Sequence, residues 1–241
     1  MKFTLGGRLI AEFVGTAFLV AAVIGSGIMG EKLAGGNVAV ALLANTIATG
    51  AVLAALILTF GSISGAHFNP VVTLVDVVRN GLLWKDAAAY IGVQVTGGIC
   101  GTVAAHLMFG LSVFSVSRHD RHGWPIVLSE FVATFGLLMV IAGCSRFRSS
   151  AVPFAVACYI TAAYWFTAST SFANPAVTIA RSLSDTFAGI RPVDVPLFVA
   201  AQVVGGLAAT VVFARFRATQ SEVPSTATPD RHRYVNPTLT G

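Results

Sequence analysis

Charge is scarce in this chain. Only 10% of its 241 residues are Asp, Glu, Lys or Arg, whereas soluble domains carry about 25%. Apolar residues make up 55% and mean hydropathy is +0.79, so a water-soluble fold of this length would expose a large apolar surface. That excludes an ordinary cytosolic enzyme, a disordered protein and a nucleic-acid module. The net charge of +5 does not restore nucleic acid as a partner, because the basic residues stand singly between apolar runs and read as membrane-boundary charges. Cysteine is scarce too. Cys100, Cys144 and Cys158 lie in apolar stretches without metal-ligand spacing and read as small hydrophobes. The apolar runs hold no Ser/His/Asp set, no His-Glu-x-x-His and no Asp pair, so no catalytic residue, metal or cofactor is expected.

Long apolar runs are what the chain has in abundance. A spanning helix needs about 20 such residues, and six segments qualify: 8–29, 37–60, 86–109, 125–144, 152–169 and 194–214. The first follows Lys2 and Arg8, as a signal peptide would, but it extends from Leu9 to Met29 and five like it follow; it reads as a retained span. Two shorter stretches, 69–79 and 174–184, each open on Asn-Pro. Ten helical residues reach about 15 Å, half the hydrocarbon thickness, so these are half-helices, and Pro suits their first position. The organisation expected is an N-terminal segment 1–7, a membrane domain 8–214 and a polar tail 215–241 on the cytoplasmic side, reading as disordered. With six spans, ten Lys and Arg fall on the side of the termini and five on the other, which places both termini in the cytoplasm.

The chain also repeats itself. Ala11-Glu12-Phe13-Val14-Gly15-Thr16 answers Ser129-Glu130-Phe131-Val132-Ala133-Thr134; Phe68-Asn69-Pro70-Val71-Val72-Thr73 answers Ala173-Asn174-Pro175-Ala176-Val177-Thr178; Gln94-Val95-Thr96-Gly97-Gly98 answers Gln202-Val203-Val204-Gly205-Gly206. Each copy (about 8–109 and 125–214) holds three spans and one half-helix. An odd span number inverts the second copy, as in transport proteins with a site near the midplane. The half-helix N-termini then meet at mid-membrane, where their unpaired N–H groups and partial positive charge repel cations and orient a hydroxyl oxygen inward. Asn69 and Asn174 add amide donors at that point; capping of the half-helices is compatible with the same role.

On these motifs, together with Ser64-Gly65-Ala66-His67 ahead of the first Asn-Pro, the chain resembles the aquaporin, or major intrinsic protein, family over residues 8–214. It is most similar to bacterial aquaglyceroporins associated with arsenic resistance. The resemblance implies an all-α membrane fold of six transmembrane helices plus two re-entrant half-helices, in a homotetramer within the cell's inner membrane. It implies passive conduction of small neutral solutes: water, glycerol, arsenous acid and methylated arsenicals. The pore motifs carried over are Asn69-Pro70-Val71 and Asn174-Pro175-Ala176, with Val71 standing where Ala is usual. The family's filter arginine, three residues after the second Asn, is Val177 here; Arg181 lies one turn further and does not match. Alignment gives Thr49, Ala162 and Ser171 as the other filter positions. His67 is expected to line the pore, and Glu12 and Glu130 to support the re-entrant loops by accepting their N–H groups. His106 is expected at the membrane interface. The competing reading is an ion- or proton-coupled secondary transporter, which would need ionisable groups at the midplane; apart from Glu12 and Glu130 the spans carry them only near their ends.

Overall fold

The structure, a computed structural model, describes residues 3–216. Residues 1–2 and 217–241, which hold Lys2 and most of the expected tail, lie outside the described residues. Eight α-helices follow in order: α1 Leu5–Leu33, α2 Val38–Ser64, α3 Pro70–Val78, α4 Trp84–Met108, α5 Trp124–Phe147, α6 Val152–Phe166, α7 Pro175–Arg181 and α8 Val195–Phe213. Short 3-10 turns precede α6 and α8. Among the described residues six helices, counting those turns, are long and apolar enough to cross a membrane. α3 and α7 are the two half-helices.

Local chemistry sets the boundaries. Thr4 accepts the Gly7 N–H to start α1, and Asn37 accepts those of Ala39 and Val40 to start α2. α2 stops at Gly65, which adopts the left-handed conformation (φ +92°) that glycine reaches without steric penalty. The second half-helix is shorter than the 174–184 stretch. It ends at Arg181 because the carbonyls of Ser182 and Leu183 are taken by the N–H groups of Ser117 and Ser115 in the loop after α4. The fifth span ends at Phe166, before the expected 169, where Thr167 turns extended and its hydroxyl donates back to Ala163 O.

The two repeats pack alike. α1 lies against α2 and α4, and α5 against α6 and α8. Close crossings recur on repeat mates: a Cβ on Gly97 would lie 2.5 Å from Phe13 O, and one on Gly205 would lie 2.5 Å from Phe131 O. Helices without a water-driven force between them associate through such small-residue contacts. Large apolar side chains cover the outer surface, among them Ile10, Phe18, Leu58, Phe154 and Val211, as a lipid-facing surface requires.

His106, in the last turn of α4, is fully buried within the bundle. Its Nδ1 lies 2.7 Å from Ser112 O and its Nε2 2.8 Å from Ser184 Oγ. It ties the end of α4 to the segment after α7, an arrangement that follows from the loop 111–117 folding back over the bundle.

Candidate functional site

The site is built on two loops that dip into the bundle and on the carboxylates that hold them. Ala66 and Phe68 before α3, and Ser171 and Ala173 before α7, all have positive φ near +50°. Left-handed backbone at a non-glycine residue costs of order 1 kcal/mol or more, so something must fix these turns. Glu12 Oε1 accepts His67 N at 2.9 Å and its Oε2 accepts Phe68 N at 2.7 Å. In the second repeat Glu130 Oε1 accepts Phe172 N and Oε2 accepts Ala173 N, both at 2.9 Å. Gln94 donates to Glu12 and Thr73, and Gln202 donates to Glu130 and Thr178. Ser64 adds a further donor to Glu12 at 2.6 Å. Both carboxylates are wholly buried and saturated by N–H and O–H donors, which suits charged acceptors in an apolar setting.

These loops deliver the half-helix N-termini to one point. Asn69 caps α3 by accepting Val71 N at 2.9 Å, and Asn174 caps α7 by accepting Ala176 N at 3.0 Å. Each Asn amide also donates across the two-fold: Asn69 Nδ2 to Ala173 O and Asn174 Nδ2 to Phe68 O, both at 2.7 Å. A primary amide has two N–H bonds, so one on each remains to face the cavity that both residues line. Pro70 and Pro175 hold the first helical positions. Val71 is buried, and its extra bulk points away from the Asn pair: Cγ1 occupies the place that a Cβ on Gly206 of α8 would take. Ala176 lies in the corresponding place against Gly98, whose Cβ would come 3.3 Å from Ala176 O.

A cavity of about 400 Å³ passes this point. It is lined from Arg181 and Ser171 at one mouth, past Asn69 and Asn174, to Asp76 and Arg79 at the other. His67 lines it, with Nδ1 3.1 Å from Thr73 Oγ1 and Nε2 3.8 Å from Asp76 Oδ2. Thr49, Ser171 and Val177 line it as well. Ala162 does not: it is exposed on the far face of α6. α6 turns Val152, Val156, Ile160 and Tyr164 to the cavity, a spacing of four that keeps one helical face inward. Tyr164 takes the place expected for Ala162, and its hydroxyl lies 3.2 Å from Thr49 Oγ1. The sequence signal for it was that four-residue spacing; an ungapped alignment across the loop before the second Asn-Pro missed it.

Arg181, one turn beyond Val177, is the other lining residue that the filter alignment omitted. It is almost fully buried, its Nε donates to Ala188 O, and its guanidinium carbon sits 3.3 Å from the centre of the Phe172 ring. Arg121, from the loop before α5, approaches the same ring at 5.0 Å; its Nε donates to Gly189 O at 2.7 Å and Nη1 to Ser169 O at 3.2 Å. Loss of hydration lowers the Arg121 pKa to about 10, which still leaves it charged at neutral pH. The cavity is thus apolar along α6, amide-lined at its centre, and positive at the Arg181 mouth. Among the described residues no three His, Cys, Asp or Glu side chains converge as a metal site would need.

The family model described as "Major intrinsic protein" matches residues 2–146 and 142–238 of the chain. The chain is 54% identical over 208 residues to "Aquaglyceroporin AqpS" of Rhizobium meliloti (strain 1021), covering 86% of this chain and 89% of that protein. It is 30% identical over 237 residues to "Aquaporin NIP2-3" of Zea mays, covering 95% of this chain and 75% of that one. The X-ray structure of the aquaglyceroporin from Plasmodium falciparum shares the fold, with a TM-score of 0.70 at 19% identity over 88% of this chain and 97% of that one.

Proposed function

Since the chain belongs to the major intrinsic protein family and is therefore a multi-pass passive channel for small neutral solutes, we propose that it is an aquaglyceroporin-type pore with an unusually wide filter. Its solutes are water, glycerol, arsenous acid and methylated arsenicals. The observation that carries this reading is the cavity itself: Thr49, Tyr164, Ser171 and Val177 line it without a guanidinium at position 177. An Arg there would fill space and demand hydrogen bonds from each passing solute. Val177 does neither, and offers an apolar wall to a methyl group.

Solutes pass in single file or nearly so. At the first constriction side-chain size and the two hydroxyls of Thr49 and Tyr164 set the admissible shape. At the second, Asn69 and Asn174 each present an amide N–H to a solute oxygen while the half-helix N-termini disfavour cations. Backbone carbonyls of the re-entrant loops, other than those of Phe68 and Ala173 that hold the Asn amides, replace hydration lost on entering. The carboxylates that a proton-coupled carrier would titrate, Glu12 and Glu130, are committed to holding the loops, which favours a channel over that alternative.

The chain functions in the inner membrane as a homotetramer with one pore per protomer and both termini in the cytoplasm, so that the Arg181 mouth faces outward. Family resemblance supports the tetramer, and the excess of Lys and Arg on one side supports the orientation. The test is a solute panel in proteoliposomes without any imposed ion gradient: water, glycerol, arsenite and methylated arsenic acids. Each is expected to cross faster than in protein-free vesicles. Flux that appears only when a proton or sodium gradient is applied would overturn the channel reading.

A further inference from the structure

Arg181 lines the mouth and Arg121 approaches the same Phe172 ring from outside the lining, both without a counter-ion. Neither the Arg181 nor the Arg121 side chain lies within 4.0 Å of a carboxylate oxygen among the described residues. The acidic groups nearby are all engaged elsewhere. Glu130 accepts Phe172 N, Ala173 N and Gln202. Asp194 accepts the Arg121 backbone N–H and pairs with Arg191. Asp120 pairs with Arg191 and His122, and Asp185 accepts Arg118 N. A buried guanidinium without a partner anion is expensive, and Arg181 uses only its Nε, on Ala188 O. Its two terminal nitrogens have no hydrogen-bond acceptor among the described residues, and the side chain lines the cavity. Ser171 lines the same cavity, and its Oγ is buried with no partner of its own. Arg181 is itself held flat by stacking on Phe172, so the fork is oriented before any ligand arrives.

We infer that this mouth is a binding site for small oxyanions, with the terminal nitrogens of Arg181 and the hydroxyl of Ser171 as its donors and Arg121 as a supporting charge. The guanidinium fork matches two oxygens of a carboxylate, sulfonate or similar oxyacid. The positive charge that a family filter would carry at position 177 is thereby moved one turn outward, to a place where it can capture the conjugate base of a weak oxyacid and refuse a cation, while the narrower part of the cavity stays uncharged. This deepens the channel reading above by naming a ligand class for its mouth.

The probe is methanesulfonate, a small oxyanion that stays ionised at all working pH values and so cannot be confused with a permeating neutral acid. Glycerol flux is measured in proteoliposomes of the full chain with sodium methanesulfonate on both sides, against equal sodium chloride and against methylammonium chloride. Methanesulfonate is expected to slow glycerol flux in a saturable way, and methylammonium is not. Its apparent affinity should fall about tenfold or more in Arg181→Met, the scale for losing hydrogen bonds to a charged group, and less in Ser171→Ala. A second readout does not depend on conduction: methanesulfonate should raise the melting temperature of the purified wild-type protein and leave that of Arg181→Met unmoved. If Arg181→Met fails to fold, Arg181→Lys, which keeps charge but loses the fork, should show the weakened affinity instead. Equal methanesulfonate effects in wild type and all three variants, or none in wild type by either readout, overturn the proposal. Absent glycerol flux with a retained, Arg181-dependent melting shift would instead overturn the channel reading and leave the anion site standing.

Discussion

Asn69 and Asn174 each hold the other's loop: the side-chain amide of Asn69 donates to Ala173 O and that of Asn174 to Phe68 O, both at 2.7 Å. The residue that caps one half-helix therefore fixes the carbonyl preceding the other cap. The Asn pair is one reciprocal unit built from both repeats, and neither half of it can be displaced alone.

This reciprocity makes Asn69→Asp and Asn174→Asp informative, since the shape is kept while a donor becomes an acceptor. A carboxylate oxygen would then face a carbonyl oxygen across the contact. Glycerol flux at equal protein density is expected to fall roughly tenfold, equivalent to about 1.4 kcal/mol on the barrier, with some cation leak as negative charge offsets the half-helix termini. Stopped-flow light scattering and a vesicle conductance assay read the two effects. Unchanged values in correctly inserted protein would show that the Asn pair does not limit passage.

At position 177 the expected effect depends on solute size. Val177→Arg places a guanidinium four residues from Arg181 on the same face of α7, a like-charge pair, and fills space in the cavity that Val177 lines. Flux of glycerol and larger neutral solutes should drop at least about tenfold while water flux falls much less, because a single-file water chain tolerates a narrower opening. Equal passage of the larger solutes through wild type and variant would mean that Val177 does not set the size limit.

The buried carboxylates predict a stability effect. Glu12→Gln and Glu130→Gln each replace one acceptor oxygen by an NH₂ group facing a loop N–H, leaving donors unsatisfied beside a left-handed turn. Each should destabilise the protein by about 1.5–3 kcal/mol, the scale for hydrogen bonds to a charged group, read as a lower melting temperature in detergent and accompanied by reduced flux. A variant that melts like wild type but loses proton-gradient dependence would instead revive a coupled mechanism.

Val71 and Gly206 form a testable pair. Gly206→Ala drives a methyl into Val71 Cγ1 and should cost about 1–3 kcal/mol. Val71→Ala on that background restores the room, so the double variant should be more stable than Gly206→Ala alone. Additive losses in the double-variant cycle would show that the two side chains do not meet.

Topology can be read by labelling once Cys100, Cys144 and Cys158 are replaced. Arg118 and Ser149 are both exposed, in loops after α4 and α5 respectively. Ser117, its neighbour, is buried beside Gly189 and makes a poor probe. With both termini inside, a membrane-impermeant maleimide added to intact cells labels Arg118→Cys and spares Ser149→Cys. The reverse pattern would invert the orientation proposed for the Arg181 mouth.

Most of the architecture was legible before any coordinates. Six apolar runs, two Asn-Pro stretches too short to span, and matched blocks around Glu12/Glu130 and Gln94/Gln202 are one-dimensional signals, because membrane insertion is decided by local hydropathy and an inverted repeat by residue order. The pairing of Glu12 and Glu130 with the loops was equally readable, since a charge in an apolar span must find donors and the repeat offered only one kind. Three things were decided by the tertiary structure. Ala162 faces outward and Tyr164 inward, because the rotation of α6 about its axis is set by packing against α2 and α5, and a shift of two residues turns a helix by more than half a circle. His106 is buried because the loop after α4 folds back over it, a long-range contact that hydropathy does not encode. Arg181 reaches the cavity wall because α7 stops there and the Phe172 ring and Ala188 carbonyl hold its side chain. A motif counts residues from an asparagine, but a pore is lined by whatever side chain the backbone turns toward it.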